Sequence, residues 1–160
     1  MIKDSSETRL DDVDRDILRI LQTDGRISNA DLARQVNLSP PATHARLKRL
    51  EEGGVIRAIA AVLDRDRLGF DLLCFVQVSL QLHRLESVEA FRAAIRDMPE
   101  VQECYHLTGE YDYLLKVVVR NRKDLERFLV DRLTPLPGVA RIHTSVVFNE
   151  VKSTTALPLP

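Results

Sequence analysis

The sequence predicts an α+β protein: an N-terminal winged-type helix-turn-helix followed by a C-terminal ferredoxin-like βαββαβ domain. Three observations predict it. Apolar residues recur at helical spacing up to about Leu50 and switch to the period of sheet from Leu72 onward. Two serine-capped helix starts stand eleven residues apart, at Ser28 and Ser39. Finally, Ile95 to Cys104 (IRDMPEVQEC) echoes Leu133 to Ile142 (LTPLPGVARI), each reading as a helix end, a proline and a strand start, which is what two βαβ halves on one sheet require. The implied division is 1–57 for the helical domain, 58–69 for a linker strand and 70–160 for the sheet domain.

The first helix is read from about Asp11 to Thr23, with Leu10, Val13, Ile17 and Leu21 forming one apolar stripe. Asp24-Gly25 stops it. Ser28-Asn29-Ala30-Asp31 has the form of a capping box, although aspartate reaches back less well than glutamate. A helix from Asn29 to Gln35 follows, with Ala30, Ala33 and Val36 expected inward. Asn37-Leu38 makes the turn, and Ser39 caps a third helix whose first position is Pro40, where a missing N–H costs nothing. Thr43, Leu47 and Leu50 face inward on that helix, which leaves Pro41, His44, Ala45 and Lys48 on an outward stripe flanked by Arg46 and Arg49. Gly53-Gly54 ends it. Val55 to Leu63 reads as an extended strand or linker, and Asp64 to Gly69 as a polar turn.

In the second half LLCFVQVSLQL is a strand, SVEAFRAAIRDM a helix, VQECYHLTG and YLLKVVVR two strands, KDLERFLVDRLTPL a helix, and VARIHTSVVFNEV the last strand. Helices would cover one face of this sheet. The run from Leu114 to Val119 is apolar on both sides of its alternation, so a partner subunit is expected on the other face.

Composition narrows the function. With 160 residues, 44% hydrophobic and 29% charged, the chain is of the globular type, and neither disorder nor a collagen-like repeat fits. No run reaches the roughly 18 apolar residues of a membrane span, and MIKDSSETRLDD is unlike a secretory leader, so the expected compartment is the cytoplasm. The net charge of −1 conceals an asymmetry: residues 1–25 carry four basic and seven acidic side chains, whereas residues 26–57 carry six and three. A basic second segment is what a nucleic-acid-binding helix pair needs, and it is also what an ordinary solvated face looks like.

A helix-turn-helix works by placing the N-terminal half of its second helix in the DNA major groove. On that geometry Ser39 and the amides after it meet a phosphate, His44 and Lys48 lie nearest the bases with Pro41, and Arg34, Arg46 and Arg49 lie against the backbone. Thr43 completes the expected DNA-contacting set. The alternative is a three-helix packing unit without a ligand. In the second half Thr108-Gly109-Glu110-Tyr111-Asp112-Tyr113 is either a plain hairpin turn or a small-ligand loop, in which Glu110 or Asp112 could pair with an ammonium group. Cys74, Cys104, His106 and His143 match no closed zinc spacing, and the two cysteines read as buried small hydrophobes rather than a disulfide framework. A rival reading is a metabolic enzyme or small-molecule-binding module built on the ferredoxin-like domain. No phosphate-cradling glycine loop precedes that domain's first helix, and no nucleophile with a supporting base is visible.

LDDVDRDILRILQTDGRISNADLARQVNLSP, followed by ARLKRLEEGGVIRAIAAVLD, resembles the N-terminal half of the Lrp/AsnC, or feast/famine, transcriptional regulators. PEVQECYHLTGEYDYLLKVVV and LPGVARIHTSVVFNEVKSTTALPL resemble the family's effector domain, so the resemblance runs from about Leu10 to Leu159. It departs at PPATHA in the third helix, where the family more usually has a run of proline, threonine and cysteine; the operator sequence does not carry over. The resemblance implies a non-enzymatic, nucleoid-associated regulator without a cofactor, whose partners are double-stranded DNA, a free amino acid and further copies of itself, dimers assembling to an octamer or similar. It also implies that the amino acid binds at the junction between dimers through His106, Thr108, Gly109, Tyr111 and Asp112, with Thr144, Ser145 and Val147 from the last strand.

Overall fold

The structure, a computed structural model, describes residues 9–81 and 85–160. The end of the predicted strand LLCFVQVSLQL, at Leu82, and most of the acidic N-terminal stretch lie outside the described residues. The chain forms two compact units, one of residues 1–62 with 152–160 and one of residues 63–151.

The helical unit holds α1 (Asp12–Thr23), α2 (Asn29–Gln35) and α3 (Pro40–Glu52). Asp11 starts α1 through a reciprocal box: its carboxylate accepts from the Asp14 N–H at 2.8 Å, and Asp14 Oδ2 accepts from the Asp11 N–H at 3.2 Å. At α2 the box closes differently. Ser28 Oγ accepts from the Asp31 N–H at 3.1 Å, while its own hydroxyl donates to Asp31 Oδ2 at 2.7 Å, so the short acid reaches the serine side chain instead of its backbone. Asn37 turns the chain with φ 54°, and Gly54 leaves α3 with φ 71°, a left-handed conformation that glycine adopts without strain. Ile17, Leu18, Leu32, Val36 and Leu50 form the core, joined at its edge by Leu47, Val55 and Ile56. Ala30, expected inward, is exposed; Leu32 and Ala33 take the buried positions of α2.

Leu159 also packs against this core. In the structure Lys152–Pro160 groups with the helices. The Gln22 side chain clasps the tail twice, accepting from the Leu157 N–H at 2.6 Å and donating to its carbonyl at 3.2 Å, and Arg19 Nη2 donates to the Pro160 carbonyl at 2.7 Å. Residues 57–64 form no strand, and Ile59, Val62 and Leu63 in them are exposed.

The second unit runs β1 (Leu72–Leu80), α4 (Leu85–Arg96), β2 (Val101–His106), β3 (Tyr113–Val119), α5 (Arg122–Arg127) and β4 (Val139–Val146), the βαββαβ order. Its four strands are ordered β2-β3-β1-β4, with every adjacent pair antiparallel. The turns after α5, Phe128–Leu133, are π-helical, and the Thr134 N–H and hydroxyl both donate to the Leu129 carbonyl, at 2.9 and 2.7 Å. Cys74, Val76, Val78 and Leu80 of β1 and Tyr113, Leu115, Val117 and Val119 of β3 are buried against Phe91, Ile95, Leu125, Phe128 and Leu133. Alternation places Phe75, Gln77, Leu114, Lys116 and Tyr105 on the opposite face, where Phe75 and Tyr105 are exposed.

Candidate nucleic-acid interface and ligand loop

The outward face of α3 depends on α1. Asp14 is fully buried, and its oxygens accept Arg46 Nη1 at 2.9 Å and Arg49 Nη2 at 2.7 and 2.6 Å. Arg46 donates a second time, to Asp11 at 2.6 Å. Two guanidiniums a turn apart thus meet one buried acid, which fixes the rotation of α3 about its own axis, and with Asp11 the four groups carry no net charge. The Arg46 hydrogen bond, then the one from the Asp14 N–H, holds the Asp11 carboxyl below its ordinary range. Arg46 is only partly accessible, whereas Arg49 remains about half exposed.

On the outward stripe Pro41, His44 and Lys48 are all exposed, and Lys48 makes one loose contact with Glu52 at 3.7 Å. Arg34, on α2, is exposed and pairs with Asp31. Ser39 is exposed, with its hydroxyl oxygen accepting from the Ala42 N–H at 3.4 Å, so it caps α3 at the end where a phosphate would approach. Thr43 is different. It is fully buried, and its hydroxyl donates to the Ser39 carbonyl at 3.1 Å, so this residue supports the helix start from inside and cannot reach a base. Asn29 Nδ2 donates to the Pro40 carbonyl at 2.9 Å, tying α2 to the first turn of α3. Sequence reasoning missed both Asn29 and Asp14. An acid one residue after Val13 reads as solvated, and the signal that could have found it is the Arg46/Arg49 pair spaced to face one point.

In the sheet unit, the loop between β2 and β3 is tied to the end of β1. The Leu107 N–H donates to the Asp112 carbonyl at 2.8 Å, the Asp112 N–H to the Val78 carbonyl at 3.0 Å, and the Leu80 N–H to Asp112 Oδ2 at 2.7 Å. Ser79 Oγ adds a bond to the Glu110 carbonyl at 3.3 Å. Gly109 has φ 126°, which disfavours any side chain, and nothing lies within 4 Å of where a Cβ would stand. The loop is therefore preorganised with bare backbone at its tip.

The expected ligand residues divide between two faces. His106 stacks on Tyr113, with 4.9 Å between ring centroids, on the helix-covered side. Thr108, Gly109 and Glu110 are exposed at the tip, with Tyr111 and Asp112 partly covered. Thr144 pairs with Val76 and faces the helices, Ser145 pairs with Phe75 on the open face, and the Val147 N–H bonds to Leu73 at the far end of β1. The β4 residues next to the loop are instead Arg141 and His143. Alternation along β4 from Ser145 gives both, once the topology sets this strand beside β1.

Cys74 and His143 likewise lie on opposite faces, and among the described residues no group of three His, Cys, Asp or Glu is placed to hold a metal. Cys74 is buried as expected, which pushes its thiol up, whereas Cys104, also expected to be buried, is exposed on the edge strand β2. No described helix is long and apolar enough to cross a membrane.

The family model described as the Lrp/AsnC ligand binding domain matches residues 73–157, and that of a winged helix-turn-helix DNA-binding domain matches residues 10–57. The leucine-responsive regulatory protein of Salmonella typhimurium is 41% identical, covering 92% of this chain and 90% of its own. The transcriptional regulator AzlB of Bacillus subtilis is 37% identical, over 94% of this chain and 96% of its own. Among solved structures, a transcriptional regulator from Neisseria meningitidis in complex with L-methionine superimposes with a TM-score of 0.90 at 39% identity, covering 93% of this chain and 96% of that one.

Proposed function

We propose, from the premise that the chain belongs to the Lrp/AsnC family of DNA-binding transcriptional regulators, that a free amino acid bound at the β2–β3 loop controls how it engages DNA. The chain is a regulator and not an enzyme. The observation that carries the finer reading is the pairing, in one chain, of a capped helix with an exposed Pro41, His44, Lys48 stripe and a separate preorganised loop with bare backbone at Gly109.

In the DNA complex α3 enters the major groove. His44 and Lys48 read base edges with Pro41 beside them, while Ser39 with the first amides of α3, Arg34, and the outer parts of Arg46 and Arg49 hold phosphates. In the sheet unit the open face, with Phe75 and Tyr105 exposed, pairs with a second copy, and dimers assemble further toward an octamer. The amino acid binds where dimers meet, through Thr108 to Asp112 and the neighbouring strand β4. It acts by preferring one assembly over another, which changes the spacing of the DNA-reading helices. Such a regulator works at the nucleoid. Because the Neisseria structure holds L-methionine, that amino acid is the first to test.

The experiment measures binding to random duplex and to the chain's own promoter fragment over a salt series, together with particle size, with and without each of the twenty amino acids. Affinity is expected to fall steeply with salt on both DNAs. At least one amino acid is expected to change size and promoter affinity together and, at a hundredfold excess over its Kd, to stabilise the fold by about 2.7 kcal/mol. No binding to random duplex at low salt refutes the DNA-reading assignment, and a size and affinity unmoved by every amino acid refute the sensing.

A further inference from the structure

Four side chains outside the DNA-reading helix converge where the β2–β3 loop meets β4. Arg141 Nη2 donates to Glu110 Oε1 at 2.9 Å, and the Arg141 guanidinium lies 4.8 Å from the centroid of the Tyr111 ring. The Tyr111 ring in turn stands 6.2 Å from that of His143. Both members of the ion pair are more than half exposed, 53% for Arg141 and 69% for Glu110.

An exposed pair of this kind adds little to stability, so opening it costs little. The backbone beneath it is fixed, because Ser79 holds the Glu110 carbonyl and Asp112 is anchored to Val78 and Leu80. What can move is the pair of charged side chains. A free α-amino acid carries a carboxylate and an ammonium group on one carbon, so it can replace one internal ion pair by two external ones without leaving a charge unmatched. A guanidinium fork suits the carboxylate, since it offers two parallel N–H donors in the plane the carboxylate needs.

Resting on the reading that the chain senses an amino acid, we propose that Arg141 receives the effector's carboxylate and Glu110 its ammonium group. The two are each other's counter-ion in the ligand-free state, and Tyr111 forms the wall against which the Arg141 plane is held. This assigns Asp112 a different part, that of positioning the loop through the Leu80 N–H. His143 borders the site across the Tyr111 ring.

The test uses the full chain and isothermal titration with L-methionine, then with the other nineteen amino acids. For each that binds, its carboxamide, which lacks the carboxylate, and its α-hydroxy acid, which lacks the ammonium, are titrated too. Arg141→Gln is expected to weaken the amino acid by about tenfold or more and to abolish the preference for it over the carboxamide. Arg141→Lys is expected to restore part of that preference, a recovery that a purely structural role would not produce. Glu110→Gln is expected to erase the preference over the hydroxy acid instead. A cooperative thermal unfolding transition close to that of wild type, expected in all three variants because the pair is exposed, reports that the sheet unit is folded. Wild-type affinity and wild-type discrimination in Arg141→Gln overturn the proposal and leave amino-acid sensing standing. A wild-type chain that binds none of the twenty overturns both.

Discussion

Asp14 of α1 grips Arg49 of α3 through both carboxylate oxygens, at 2.7 and 2.6 Å, with the acid fully buried and the base half in solvent. The bond therefore joins the interior of the helical unit to the solvent side of α3. Truncating the acid also takes away one of the two acceptors of Arg46, leaving it Asp11, and removes half of the capping box at Asp11. Asp14→Ala is expected to lower stability by about 1.5–3 kcal/mol, as losing hydrogen bonds to a charged group does when the arginines left behind can reach solvent, measured by urea unfolding. A loss below about 1 kcal/mol would mean that the triad is held by nothing but packing.

The division of labour along α3 gives a second expectation. Arg34→Ala and Arg49→Ala should weaken random and promoter DNA alike and reduce the salt slope by about one. Arg34 is the cleaner probe, since its pair with Asp31 is exposed and its loss strands no buried charge. His44→Ala or Lys48→Ala should instead change discrimination between sequences by about 1–3 kcal/mol, read from competition with single-base variants of the promoter. Equal effects on both DNAs from all four variants would show that a different face of α3 meets the bases.

Acid should loosen the helical unit in a particular window. Asp11 titrates below its ordinary value near 3.8, chiefly because Arg46 donates to it, and Asp31 does so because the Ser28 hydroxyl and then Arg34 donate to it. Since the folded state depresses both pKa values, their contribution is complete above about pH 5. It is lost as the pH falls through the lowered folded values. Urea midpoints at pH 5, 4 and 3 should therefore fall less in Asp11→Asn than in wild type, and parallel curves would show the Arg46 contact to be energetically idle.

Much of this architecture is legible from local chemistry. The helix Asn29–Gln35 has the bounds its caps imply, because Ser28 can satisfy a free N–H whatever the rest of the chain does. The βαββαβ order follows from the change of period and the two proline-linked echoes, for the same reason: each is a property of ten neighbouring residues. What escapes is whatever needs a distant partner. Thr43, grouped with the DNA contacts, is buried because the helix turns it inward, while Asp14 is buried because two arginines more than thirty residues later neutralise it. The π-helical stretch Phe128–Leu133 is invisible because Leu125, Phe128 and Leu133 would also suit an α-helix. Arg141 carries no motif; only the strand order sets it beside Glu110.

The segment KSTTALPLP has no helical or strand period and reads with the effector domain, yet it packs on the helical unit, bonded to Arg19 and Gln22 of α1. Leu159→Ala should cost about 1–2 kcal/mol, as expected for a partly buried leucine, and Gln22→Ala about 1 kcal/mol for its two bonds to Leu157. Hydrogen exchange of α1 amides should rise in both variants, and unchanged protection would place the tail outside the cooperative unit.

That tail makes the helical unit discontinuous, with residues 63–151 inserted between its two parts. On a ribosome the three helices emerge first but wait for their closing segment until the whole sheet has been translated. A fragment ending at Val62 would thus be an unfinished DNA reader, with the seat of Leu159 left wet. A chain truncated anywhere in its ligand-binding half therefore also lacks the segment that lays Leu159 against the core of its DNA-binding half.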